Sequence, residues 1–327
     1  MKSRWHGFKS VLATMMERYL AAKRALGCRF VSEEKELRLF DRFLVRRRLT
    51  RIRAVTPAIV EMFLASRSRN RPRSFNHMLG VLRRLFGWMV AQGKLRRSPL
   101  RQRPRRETSH RVPFIFDPAE ARRLLDVASA LPSIPSVPLR GPTYHLIFAL
   151  LYALGIRVGE VSRLLRRDVD LTRQLLIVRD TKFGKSRLVP FGPRVGALLA
   201  RYLELRYAAT DCSPDSALFC FRQGRTIHPC TISQTFHALV PRLRLPVRAG
   251  VGLPRVHDLR HSFAVRALLR WYREGADPQA HLLHLSTFLG HVSPSSTAVY
   301  LTITHELLDE AGERFERFAS IAVEGAP

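Results

Sequence analysis

Apolar residues recur at helical spacing through the first hundred positions of the chain. Val11, Leu12, Met15, Met16, Tyr19 and Leu20 share one face of a 3.6-residue period, and Gly27 stands where that helix would end. Ser32 reads as the N-cap of a second helix, with Glu33 and Glu34 in a first turn that favours negative charge, leading into Leu37, Phe40, Phe43 and Leu44. Thr56-Pro57 opens a third, an N-cap followed by proline at N1. A fourth is predicted from about 75 to 92, with Arg73, Arg83 and Arg84 on its polar side. No strand pattern intrudes, so residues 1–100 are expected to form a helical bundle.

Residues 93–112, GKLRRSPLRQRPRRETSHRV, almost lack apolar anchors and read as a linker too charged to pack. The domains are therefore drawn at 1–100 and 113–327, with 101–112 between them. Asp117-Pro118-Ala119-Glu120 then combines an N-cap, proline at N1 and glutamate at N3. The second domain reads as helical, at 193–207, 231–243, 259–271, 278–289 and 304–320, with one interruption. Residues 174–179 and 187–190 are predicted as short strands around a 180–186 tip, 217–221 as a third strand, and the proline-rich 131–142 as an exposed loop. The predicted fold class is mainly α with a small antiparallel β-sheet, in two domains.

Charge narrows the function. The 327 residues carry 56 Lys and Arg against 26 Asp and Glu, a net of +30. Residues 1–111 hold 29 of the cations and 7 of the acids, a net of +22 in one third of the chain. Such a load repels itself unless a polyanion neutralises it, so nucleic acid is the expected partner. Arginine dominates, and its planar fork suits phosphate oxygens. Arg73, Arg83, Arg84, Lys94, Arg101, Arg103 and Arg105 are the expected contacts. No long apolar run suits a membrane span and no secretory leader pattern opens the chain, so a cytoplasmic protein is expected. The four cysteines, Cys28, Cys212, Cys220 and Cys230, lack metal-site spacing, and no phosphate-cradling glycine loop occurs, so no metal or cofactor is expected.

Four short patterns carry candidate chemistry. Gly155-Ile156-Arg157-Val158-Gly159-Glu160 turns an apolar helix into another with Arg157 at its start. Thr181-Lys182-Phe183-Gly184-Lys185-Ser186-Arg187 makes a cationic hairpin tip. In His257-Asp258-Leu259-Arg260-His261, His257 and Arg260 are three apart and share a helical face, an imidazole and a guanidinium suited to one phosphodiester. Leu289-Gly290-His291 is followed by Tyr300, about two turns into a helix opened at Ser293-Pro294.

In this order, Arg, Lys, His-x-x-Arg, Gly-His and Tyr resemble the signature of the tyrosine recombinases, or phage integrase family. GIRVGEVSRL, HDLRHSFA and LGHVSPSSTAVY read like the motifs of its Xer-like bacterial members. The resemblance covers residues 112–320; residues 1–100 match the family's core-binding (SAM-like) domain only as a basic helical bundle. It implies a C-terminal catalytic domain that cleaves and rejoins DNA through a 3′-phosphotyrosyl intermediate, within a homotetramer on two DNA sites or an assembly shared with other recombinases. By it Tyr300 is the nucleophile, His257 the proton acceptor, Arg157 and Arg260 the braces of the transition state, and His291 a phosphate ligand. Lys182 is the acid for the leaving oxygen, with Lys185 a rival because Phe183 departs from the usual hairpin. Glu160 and His261 are expected to support from behind. The alternatives are a type IB topoisomerase-like nicking enzyme and a non-catalytic DNA-binding regulator. The apolar positions of the last helix, Leu307, Leu308, Ala311 and Phe315, suit docking either on a neighbouring protomer or within the same chain.

Overall fold

The computed structural model describes residues 7–302 and 312, apart from 29, 68, 70, 107–111, 136, 180–185, 210–212, 222, 223, 249 and 292. It has two compact units, Met1–His110 and Arg111–Pro327. Among the described residues no helix is long and apolar enough to cross a membrane.

The first unit packs α1 (Ala13–Ala25), α2 (Val31–Arg46), α3 (Pro57–Ala65) and α4 (Pro72–Ala91) around one core. Phe40, Phe63 and Phe86 lie at its centre, with ring centroids 4.8 and 6.0 Å from Phe40. Gly27, with φ of +77°, follows the end of α1 as its position predicts. Ser32 is not the cap of α2. Phe30 occupies that position in a left-handed conformation, and the Ser32 hydroxyl instead donates to Glu33 Oε2 at 2.9 Å. The Phe30 ring packs edge-on against the buried Tyr19, 5.9 Å between centroids, so anchoring an aromatic ring fixes where the helix begins.

The stretch expected to be too charged to pack does pack. Pro99 is buried, and Leu95 and Leu100 lie against the core of the first unit. Asn76 on α4 brackets the backbone of Arg105, its amide donating to the carbonyl and its oxygen accepting from the N–H, both at 2.8 Å. The Arg105 guanidinium lies 3.9 Å over the Phe75 ring and donates to the Arg69 carbonyl at 2.7 Å. An arginine's apolar stem and flat head can cover aromatic surface while keeping its charge, which the count of charges alone does not register.

In the second unit, α5 (Pro118–Ser129) opens with the predicted capping box. Asp117 accepts from the Glu120 N–H at 2.7 Å and Glu120 accepts from the Asp117 N–H at 2.9 Å. The central helix α6 (Arg140–Leu154) is apolar on nearly every side and correspondingly buried. The loop before it is not wholly exposed, since Leu131 and Val137 are buried and Ile134 bridges Val137. After α7 (Val158–Val161), β1 (Val169–Asp170), β2 (Leu175–Val178) and β3 (Arg187–Pro190) form an antiparallel sheet in sequence order, Leu176 opposite Val189. The third strand is thus β1 and not residues 217–221. Leu218 and Phe219 are both fully buried, and Ala217 and Cys220 make only isolated bridges, to Leu165 and Thr226. A short apolar run reads alike as a strand or as a buried connector.

Then follow α8 (Pro193–Ala209), α9 (Pro229–Leu239), α10 (Asp258–Arg273), α11 (Pro278–Leu289) and α12 (Ser295–Ala298), the last continuing as a 3-10 turn, Val299–Thr302. The 180–185 part of the hairpin tip and, save Gly312, the predicted helix at 304–320 lie outside the described residues.

The α5–α6 contact is close enough to test. A Cβ on Gly141 would stand 2.2 Å from the backbone carbonyl oxygen of Ser129. Gly141→Ala is expected to destabilise the second unit by about 1–3 kcal/mol, the range for overpacking a filled interior. Calorimetric unfolding checks this, and an unchanged midpoint would show that the two helices part freely.

Candidate active site

The site is assembled around the C-terminal end of α11. A helix leaves its last carbonyls without intrahelical donors, and its C-terminus carries partial negative charge. Here the chain leaves α11 through Gly290, at φ +66°, with Gly290 N–H bonded to the Thr287 carbonyl and His291 N–H to that of Ser286, both 2.9 Å. Three arginines then take three successive carbonyls. Arg187 Nε donates to Phe288 O at 2.9 Å, an Arg260 terminal nitrogen to Leu289 O at 2.7 Å, and an Arg157 terminal nitrogen to Gly290 O at 2.8 Å.

Each arginine arrives from a different element. Arg157 is the N-cap residue of α7, reached through the left-handed turn at Gly155, where an added Cβ would fall 2.5 Å from Phe263. Arg260, in the first turn of α10, is 1% exposed; its other terminal nitrogen donates to the Gly155 carbonyl. Its buried Nε has no hydrogen bond among the described residues, and the Tyr300 hydroxyl lies near its guanidinium. Burial, then Arg157, pushes Arg260 down to about 10, against the pull of Tyr300 and Glu160. Arg187 begins β3.

One carboxylate balances this group. Glu160, 3% exposed, accepts from the Arg157 N–H at 2.9 Å and from its guanidinium at 2.7 Å. It also accepts two bonds from Arg187, at 3.0 and 2.8 Å. Burial works to raise the Glu160 carboxyl, but the bonds and charge of Arg187, with help from Arg157, overcome it and hold the group at about 2.

Tyr300, on the 3-10 turn after α12, is 3% exposed and lies within the influence of this cationic group. Its hydroxyl is 3.0 Å from His261 Nδ1, and its ring lies nearly parallel to His291. Burial raises its pKa, while Arg260 and Arg157 act to lower it. His291 is fixed through Nδ1 to the Thr297 hydroxyl at 2.8 Å. The His257 ring stands edge-on to His261, 4.7 Å between centroids, at a solvent-exposed position. Desolvation by the surrounding protein and then Arg260 and Arg157 push both His257 and His291 down to about 4, so both rings are neutral at pH 7.

Seven sequence-predicted residues thus converge: Arg157, Glu160, His257, Arg260, His261, His291 and Tyr300. Lys182 and its rival Lys185 lie outside the described residues. Of His257, the N-cap of α10, and His261 in its first turns, the one bonded to the phenol is His261. Arg187 was missed. It shares a strand face with the buried Val189, whereas Leu188 between them is 58% exposed. An arginine facing inward and a leucine facing outward invert the usual alternation, and only the sheet register reveals which face is which.

The basic residues expected to meet DNA divide in two. All seven are exposed, and Arg73, Lys94, Arg101 and Arg103 show no side-chain hydrogen bond or ion pair among those described. Arg83 donates to the Gln102 carbonyl at 3.2 Å, Arg84 stands 3.9 Å from Glu33, and Arg105 is held as described.

The sequence profile of the phage integrase family matches residues 115–306, more than half of the chain. This chain belongs to that family. Among curated tyrosine recombinases and integrases, a putative integrase/recombinase of Sinorhizobium fredii, y4rE, is 35% identical over 312 residues, 94% of this chain and 96% of the relative. The tyrosine recombinase XerC of Oceanobacillus iheyensis is 31% identical, over 84% and 86%. In fold, the Tn1549 transposon integrase in complex with transposon right end DNA gives a TM-score of 0.63 at 18% identity, over 93% of this chain and 99% of that one. A lambda integrase dimer bound to a core site gives 0.60 at 16%, over 87% and 96%.

The Glu160 contacts make a signed prediction for this recombinase. A carboxyl near 2 when folded, against about 4.3 when unfolded, contributes stability that is present above 4.3 and lost as pH falls through 2. Glu160→Gln is expected to be the less stable protein at pH 6, with the gap narrowing as the pH drops below 4. Denaturant unfolding across that range checks it; a gap independent of pH would place the cost in packing alone.

Proposed function

We propose that this tyrosine recombinase cuts and rejoins duplex DNA at specific sites, with Tyr300 as its nucleophile. The observation that carries the reading is the buried Tyr300 hydroxyl, 3.0 Å from His261 Nδ1 with Arg260 and Arg157 acting on it. In the forward step the phenolic oxygen bonds to the scissile phosphorus and the bond from phosphorus to the 5′ oxygen breaks. A 3′-phosphotyrosyl linkage and a strand ending in a 5′-hydroxyl result, and the retained ester allows the reverse attack. A phenol near pKa 10 is a poor nucleophile at pH 7, so its proton must leave as the new bond forms. His261 accepts that proton, the role the sequence assigned to His257. Lys182 returns a proton to the leaving 5′ oxygen.

Arg260 and Arg157 stabilise the charge that builds on the non-bridging oxygens, more in the transition state than before it. The neutral His257 and His291 hydrogen-bond those oxygens. Glu160 acts behind Arg157. Residues 1–100, with exposed Arg73, Lys94, Arg101 and Arg103, act as the core-binding domain that grips the duplex, and residues 113–327 as the catalytic domain. The relatives bound to DNA support that partner. Two rounds of exchange on two DNA sites call for four protomers, and we infer a homotetramer.

A nicked suicide duplex, from which the released strand diffuses away, tests the chemistry. The wild type is expected to form a covalent protein–DNA adduct and Tyr300→Phe none; an adduct in Tyr300→Phe would overturn the nucleophile. Exchange of label between two duplex sites separates recombination from mere relaxation. His261→Asn keeps a polar group beside the phenol but cannot be protonated, and is expected to slow adduct formation about 10²-fold or more. A rate within twofold of wild type would return the proton to His257.

A further inference from the structure

Arg187 closes the hairpin-tip pattern but has no role in the sequence reading, and among the described residues it has three directed contacts. Nε donates to the Phe288 carbonyl and the two terminal nitrogens donate to the two oxygens of Glu160. Its side chain is 12% exposed. The neighbouring Gly290 has no room for a side chain: a Cβ there would lie 2.9 to 3.2 Å from three atoms of the Arg187 head group. Glycine at 290 therefore admits this guanidinium as well as permitting the turn.

Arg157, by contrast, keeps 30% of its side chain exposed and is held at two points, Glu160 and the Gly290 carbonyl. Arg187 touches the first directly and packs against the residue that supplies the second. We propose that Arg187 is a positioning residue for strand cleavage, fixing both anchors of Arg157 so that its guanidinium is presented to the scissile phosphate in one orientation. The inference rests on the phosphotyrosyl chemistry proposed above.

Without Arg187, Glu160 would be a buried carboxylate facing Arg157 on its own helix turn and Arg260 and His257 from α10. Burial then drives it toward the protonated form, and a neutral acid no longer holds Arg157 by charge. Lysine cannot replace the arginine, because one ammonium cannot satisfy a carbonyl and both carboxylate oxygens in these fixed directions.

The test is single-turnover adduct formation on the nicked duplex by the full chain, from pH 5 to 8, with DNA affinity measured in parallel. Arg187→Gln is expected to be at least tenfold slower at pH 7 at unchanged affinity, with a further loss toward pH 5 that the wild type lacks. Adding Glu160→Gln should abolish that extra pH dependence. Arg187→Lys, which retains a cation and guards against a misfolded Arg187→Gln, should not restore the rate. Two outcomes overturn the proposal: either variant within twofold of wild type, or a slower rate with the wild-type pH profile, as a purely structural staple would give. No adduct in the wild type would instead sink the proposed chemistry, so the two failures are distinguishable.

Discussion

Three adjacent backbone carbonyls at the end of α11, those of Phe288, Leu289 and Gly290, hold three guanidiniums that would otherwise repel one another. Beyond the effect of burial, Arg157 lies close enough to Arg260 to push its pKa down. The repulsion is tolerated because a helix C-terminus offers directed acceptors and partial negative charge, and because one ionised carboxylate, Glu160, lies between Arg157 and Arg187. The same left-handed turn at Gly290 that exposes the carbonyls carries the chain to His291, whose ring faces Tyr300. The placement of the arginines and that of the ring facing Tyr300 are thus two results of one helix ending.

Much of this was legible in the sequence for a physical reason. Ionisable and aromatic side chains are chemically conspicuous, and Gly155 and Gly290 mark turns that only glycine takes easily, so Arg157, Arg260, His291 and Tyr300 stand out by type and order. Arg187 does not, because an arginine at the edge of a cationic hairpin tip looks solvated until the register Val178 opposite Arg187 fixes its face. Nor does composition say which of His257 and His261 meets the phenol, as both sit within one helical turn. Ser32 and residues 217–221 misled for the opposite reason: local propensity was overruled by burial of Phe30 against Tyr19 and of Leu218 and Phe219 in the core.

The first unit shows how a heavily basic segment can still be ordered. Asn76 fixes the backbone at Arg105 in both directions, and Arg105 itself covers Phe75. Its charge therefore contributes to the field of the unit while its geometry is committed internally. Exposed Arg101 and Arg103 extend from a segment whose path over α4 is already set by those bonds and by Arg83. Ordering that segment before any polyanion arrives lowers the entropy lost when it is gripped.

The burial of Tyr300 carries one more consequence. A side chain only 3% exposed, with its oxygen already engaged by an imidazole, offers nothing to stray electrophiles or to oxidants in bulk solvent. If the proposed chemistry holds, the hydroxyl that would be joined to a DNA strand stays sheathed between encounters, and here the sheath is the same packing that holds the ring beside His261 and His291.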